Sequence, residues 1–203
     1  VTPNPMPKDN ITAEIDNLRG DMHTVVFIGF SGLGYENLQD VKNQASQILD
    51  QAISNYQHKG GVALVIGGTT DGIGAIYSLV NDKAEYKNIK CIGIVSKVVL
   101  DECPDSISSY CKGNMVYVPD PNQTWEVLNA DATHSYTAYA AENNGELHAL
   151  GAGAVGVKEI KMAINQGVSP YIFDYMADQK KIDAKLKQGK LVGDLMPISK
   201  FFS

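Results

Sequence analysis

The sequence predicts a single-domain α/β fold, Rossmann-like and doubly wound, with a mainly parallel sheet flanked by helices. Three observations predict it. Six short apolar runs alternate with longer amphipathic segments along 203 residues, the pattern of a parallel sheet covered by helices. Most of those runs are apolar at odd and even positions alike, as strands buried between two helix layers must be. Three of them pass directly into glycine-rich turns, two of which open the next helix.

Taken in order, residues 1–7 are polar and proline-rich and read as a loose arm. Residues 1–22 are assigned to this arm and a short helix, and 23–203 to the main domain. Strands are expected at 24–30, 62–67, 90–95, 115–118, 146–150 and 170–173. The helix expected at 37–56 carries Leu38, Val41, Ala45, Ile48, Leu49 and Ala52 at spacings of three and four, which buries one face. A second helix, 71–81, starts on an acidic capping residue, Asp71. A third, 133–142, is rich in alanine and tyrosine. A fourth, 155–166, stops at Gly167 with Pro170 soon after. A last polar helix, 177–188, precedes Gly189. Segments 101–113 and 119–124 read as irregular, the second being the turn sequence PDPNQT.

Bulk properties narrow the function classes. A formal net charge of −6 argues against nucleic acid or an anionic membrane as the main partner. Hydrophobic residues at 44% are ordinary globular composition, and a chain of this length needs no disulfide or metal staple. Its three cysteines are odd in number and its four histidines scattered, so neither a disulfide framework nor a metal site is expected. No leader or membrane span is recognisable, which places the expectation in the cytoplasm. Arg19 is the single arginine among 17 cationic residues.

The glycine turns carry the candidate chemistry. The first is Gly29-Phe30-Ser31-Gly32-Leu33-Gly34; its spacing does not fit G-x-G-x-x-G, and a tight structural turn accounts for it as well as a ligand does. In the second, Gly67-Gly68-Thr69-Thr70-Asp71-Gly72-Ile73-Gly74, two glycines end a strand and hydroxyl donors follow. Gly72 and Gly74 then thin a first helical turn whose free N–H groups can hold an anion. The third, Gly151-Ala152-Gly153-Ala154-Val155-Gly156, again follows a strand and opens a helix that carries Glu159. Close helix–sheet packing and a dipole-stabilised Glu159 are the alternatives to an anion cradle there. Strand carboxyl ends lie on one edge of a parallel sheet, so all three turns can converge on one crevice.

The segments VVFIGFSG (25–32), LVIGGTTDGIGAIYSLV (64–80), CIGIV (91–95) and LGAGAVGVKEI (150–160) together resemble the LOG-like, or SLOG, superfamily over residues 24–174. That superfamily joins cytokinin-activating phosphoribohydrolases, proteins once labelled lysine decarboxylases and nucleotide-sensing domains. The resemblance implies a nucleotide pocket lined by Gly67, Gly68, Thr69, Gly72 and Ile73, with Ser31 and Gly32 at its floor. It sets Gly151, Gly153 and Gly156 in the phosphate loop and makes Glu159 the glutamate that assists N-glycosidic cleavage. It also implies a homodimer; no cofactor is expected. Two departures stand out. The loop lacks the family's leading proline and its threonine, and no arginine follows Arg19, so His134 falls roughly where the family places its arginine. Histidine offers no bidentate fork.

Two functions are therefore expected: a receptor for a nucleotide or nucleotide derivative that has lost the chemistry, or a nucleoside 5′-monophosphate phosphoribohydrolase. In the second, Glu159 would stabilise charge on the ribose or position water, and His134 would protonate the departing base. A dehydrogenase would want G-x-G-x-x-G after the first strand and an acidic residue closing the second, where Gly67-Gly68 stands.

Overall fold

The computed structural model describes residues 2–202 and contains one six-stranded, all-parallel sheet. Its strands are β1 (His23–Gly29), β2 (Val62–Ile66), β3 (Lys90–Ser96), β4 (Met115–Val118), β5 (Gly145–Leu150) and β6 (Tyr171–Phe173), in the order β4-β3-β2-β1-β5-β6. The predicted strands agree to within a residue at each end. The α-helices are α1 (Asn10–Arg19), α2 (Leu38–Tyr56), α3 (Lys97–Glu102), α4 (Tyr136–Tyr139), α5 (Ala154–Asn165) and α6 (Gln179–Lys187).

Alternation along β1 separates two cores. Val25 and Phe27 face α2 and a 3-10 helix, Gly72–Asn81, through Val41, Ala45, Leu49, Ile76 and Tyr77. Val26 and Ile28 face α1, α4 and α5 through Ile15, Tyr139 and Ile160. All of these side chains are at most 5% exposed, so each β1 residue is sealed on its own face. Among the described residues no helix is long and apolar enough to cross a membrane.

Four segments differ from expectation, each for a local reason. The helix expected at 71–81 is wound as 3-10 over ten residues, an unusual length. Gly74 lets its first turn press on the Thr69 carbonyl, where a Cβ would collide. The helix expected at 133–142 shrinks to α4, because Asn129 and Asp131 side chains accept the Thr133 N–H and hold 129–133 as a turn. The stretch expected to be irregular from 101 begins inside α3. The arm is not loose: the Asn4 N–H donates to the Asn165 carbonyl at 2.9 Å, the Met6 N–H to the Glu142 carboxylate at 3.1 Å, and Met6 is buried.

At the amino ends of β1 and β5, away from the glycine turns, Glu146 lies between His23 (2.7 Å) and His148 (2.5 Å). Burial alone would raise its pKa, but the hydrogen bonds from His148 and His23 outweigh that and hold the carboxyl down at about 2. A carboxyl more acidic in the fold than in the unfolded chain contributes stability above its ordinary pKa of 4.5 and loses it as pH falls toward 2. Acid denaturation should therefore steepen in that window. Glu146→Gln should flatten the pH dependence of the unfolding free energy there, from urea titrations, by about 2 kcal/mol. An unchanged slope would show that the carboxylate is not what acid removes.

Candidate functional site

From β1 the chain winds outward through β2 and β3 to β4, then returns to place β5 on the other side of β1. Open α/β sheets leave a crevice at such a reversal, outside the strand carboxyl ends. A cavity of about 510 Å³ lies there. Its walls come from the ends of β1, β2 and β3, the start of α5, the segment before α4, and α6.

The cavity's shape depends on two buried tyrosines inserted at the strand ends. The Tyr35 hydroxyl receives the Phe30 N–H (3.1 Å) and donates to the Leu150 carbonyl (2.6 Å), so it stands between the ends of β1 and β5. Gly29 makes room for it, since a Cβ there would fall on the Tyr35 oxygen. The Tyr77 hydroxyl receives N–H groups from Ile66 (3.0 Å) and Gly68 (3.1 Å) and donates to the Ile92 carbonyl (2.7 Å), between β2 and β3. Burial raises both phenol pKa values, so both hydroxyls keep the proton they donate.

The expected binding residues divide accordingly. Gly29, Ser31, Gly32, Gly67, Thr69, Asp71, Gly153, Gly156 and Glu159 line the cavity. Gly68, Gly72 and Gly151 do not, and their glycine identity has structural causes. All three have positive φ, at 79°, 57° and 71°. A Cβ would strike Met115 at Gly68, the Phe30 carbonyl at Gly72 and the Tyr175 carbonyl at Gly151. The second turn is also largely committed within the protein. Thr70 N–H donates to Ser106, Ile73 N–H to Phe30 and Gly74 N–H to Asp71, at 2.7–3.1 Å. It forms a wall of the cavity and has few donors left for an anion.

The third turn behaves differently. Gly153 takes the N-cap position of α5 with an extended backbone and no side-chain cap, and Ala154, Val155 and Gly156 follow it along the cavity. First-turn N–H groups have no intrahelical partner, and the helix dipole adds positive potential there. Lys185 of α6 reaches the same cavity.

Glu159 lies one turn further along α5. Desolvation, then the nearby Glu126 charge, raise its carboxyl pKa to about 7 against the opposing hydrogen bond from Thr137. It is therefore divided between acid and carboxylate near neutrality, as a proton donor or acceptor requires. Glu126 itself pairs with Lys158 at 3.1 Å.

His134 is elsewhere. Its ring is 5% exposed, with Nε2 3.1 Å from the Asn4 carbonyl and Nδ1 2.7 Å from the Thr133 hydroxyl. The short α4 turns Thr137, not His134, toward Glu159. The ring is held by the amino-terminal segment and is not in reach of a leaving group in the cavity.

Sequence reasoning passed over Trp125, Cys103, Ser106 and Lys185, all of which line the cavity. Trp125 is the only tryptophan in the chain, and it directly follows the PDPNQT turn. That adjacency was the available signal. Lys185 sits in a lysine-rich polar helix and carried none.

No family model matches this chain, and no curated protein matches it.

Proposed function

We propose that the chain binds a nucleotide or nucleotide derivative, in the manner of the LOG-like proteins it resembles, with the phosphate at the amino end of α5. The observation that carries this reading is the uncapped start of α5, Gly153–Gly156, opening on a cavity at the topological reversal with Lys185 alongside. Apolar walls such as Ile94, Val99 and Val127 suit the body of such a ligand, and 510 Å³ is within the usual range for small-molecule sites. The same reading takes the protein as a cytoplasmic homodimer, and light scattering on the purified chain reads the second point directly.

The test is Gly153→Asp. The backbone at Gly153 (φ −84°, ψ −168°) suits any N-cap residue, and a Cβ there meets nothing within 4 Å. An aspartate would cap α5 itself and set a negative charge where the phosphate should sit. The fold should gain about 0.5–1 kcal/mol. Affinity for adenosine 5′-monophosphate, by calorimetry, should fall at least tenfold. Opposite signs separate loss of the site from damage to the fold, and undiminished affinity would move the phosphate off α5.

Glu159 favours a second reading, hydrolysis of the N-glycosidic bond of a nucleoside 5′-monophosphate. A carboxyl titrating near 7 inside the cavity can orient water, and can also protonate a leaving base, the task first assigned to His134. Release of free base, followed by chromatography and lost in Glu159→Ala, would establish it.

A further inference from the structure

Resting on the nucleotide reading, we propose that Trp125 is the stacking platform for the ligand's base, and that Asp120 is the positioning residue that presents it. The site would then select nucleoside monophosphates over sugar phosphates.

A large aromatic side chain normally seeks burial, yet Trp125 is 46% exposed and lines the cavity. Its backbone is left-handed, φ 65°, two residues after Gln123 at φ 52°. Two non-glycine residues in that region within one turn need something to hold them. Asp120 does so. One carboxylate oxygen accepts the Trp125 N–H at 2.7 Å and the Ser96 hydroxyl at 2.7 Å; the other accepts the Thr124 N–H and hydroxyl at 2.9 and 3.0 Å. Ser96 ends β3 and is fully buried, so the turn is anchored to the sheet edge. On its other side, Glu126 pairs with Lys158 of α5, the helix whose start is the phosphate site. Both flanks of Trp125 are therefore fixed to elements that build the cavity.

An aromatic side chain on a fixed backbone, lining the same cavity as an anion site, matches a ligand with a flat ring at one end and a phosphate at the other. Bases stack on tryptophan with little regard to sequence, because every base has a π-face. Hydrogen bonds within the protein hold the turn, so little ordering entropy opposes binding.

Calorimetric titration of the four common ribonucleoside 5′-monophosphates and of ribose 5-phosphate tests this on wild type, Trp125→Ala, Trp125→Phe and Asp120→Ala. Wild type should bind at least one nucleotide ten- to a hundredfold more tightly than ribose 5-phosphate, the usual range for one stacked base. That nucleotide should also quench the protein's only tryptophan. Trp125→Ala should erase the preference while ribose 5-phosphate affinity stays within about twofold, and Trp125→Phe should restore most of it. Asp120→Ala should lose both the preference and the quenching with Trp125 still present, which loss of a merely structural turn would not do selectively. If Trp125→Ala keeps the preference, or wild type has none, the platform is overturned while the phosphate site stands. If wild type binds no nucleotide at all, the nucleotide reading falls and the platform with it.

Discussion

Replacing Tyr77 with phenylalanine is expected to lower the unfolding free energy by about 3–6 kcal/mol, a large part of what a domain this size has in reserve. The hydroxyl serves three backbone groups together: N–H of Ile66, N–H of Gly68 and the carbonyl of Ile92. Phenylalanine keeps the ring packing and takes the hydroxyl from all three, at a residue with no exposed surface. The melting temperature, by calorimetry, should drop roughly 10–20 °C, and amide exchange at Ile66 and Gly68 should accelerate. Tyr86→Phe is the control, since that hydroxyl meets one carbonyl, of Ser46, and the partly exposed Asp50 carboxylate. A loss under about 1 kcal/mol, no larger than that of Tyr86→Phe, would show that the buried ring, rather than the three-way hydrogen bond, is what Tyr77 supplies.

Glu159→Gln is expected to stabilise the protein above pH 7 and to leave it unchanged near pH 4.5. Desolvation and Glu126 raise the carboxyl pKa to about 7 from its ordinary value of 4.5. Between those values the folded chain binds more protons than the unfolded one, so stability falls as pH rises through the window. Above it the full penalty stands, about 2–3 kcal/mol, and the neutral amide removes it. A gain of roughly 4–10 °C in melting temperature at pH 8, vanishing at pH 4.5, is the expected result. A phosphate bound at α5 adds negative charge nearby and should raise the carboxyl's pKa further. Phosphate affinity in wild type should then improve more on acidification than in Glu159→Gln, a comparison in which the ligand's own titration cancels. A melting difference independent of pH would mean that Glu159 is ionised throughout.

The inner strands were legible because β1 and β2 are buried on both faces, which makes a stretch such as Val25–Ile28 one continuous apolar run. The start of α5 was legible too, as glycines leading into an amphipathic segment with Glu159 one turn on. Roles within the second turn were not. Gly68 and Gly72 are glycines for positive φ and backbone clearance, and nothing in a sequence separates that demand from a ligand's. His134 failed for a different reason: side chains on 129–133 replaced the first turn of the expected helix, and Thr137 took the inward position. Trp125 and Lys185 are brought to the cavity by folds of the chain that leave no periodic pattern.

The strand order has a consequence for biosynthesis. The cavity begins on β1, at residues 27–29, and is closed by Lys185 on α6, with the α5 start added only after β5 has paired beside β1. Chains fold from the amino terminus as they leave the ribosome. The first four strands can assemble on emergence, but the reversal that makes the crevice waits for residues 145–150, and its last wall for α6. A nascent chain halted just before residue 179 thus holds all six strands and no complete site. Ligand cannot template the early steps, and its stabilising influence acts only on chains that have already finished folding.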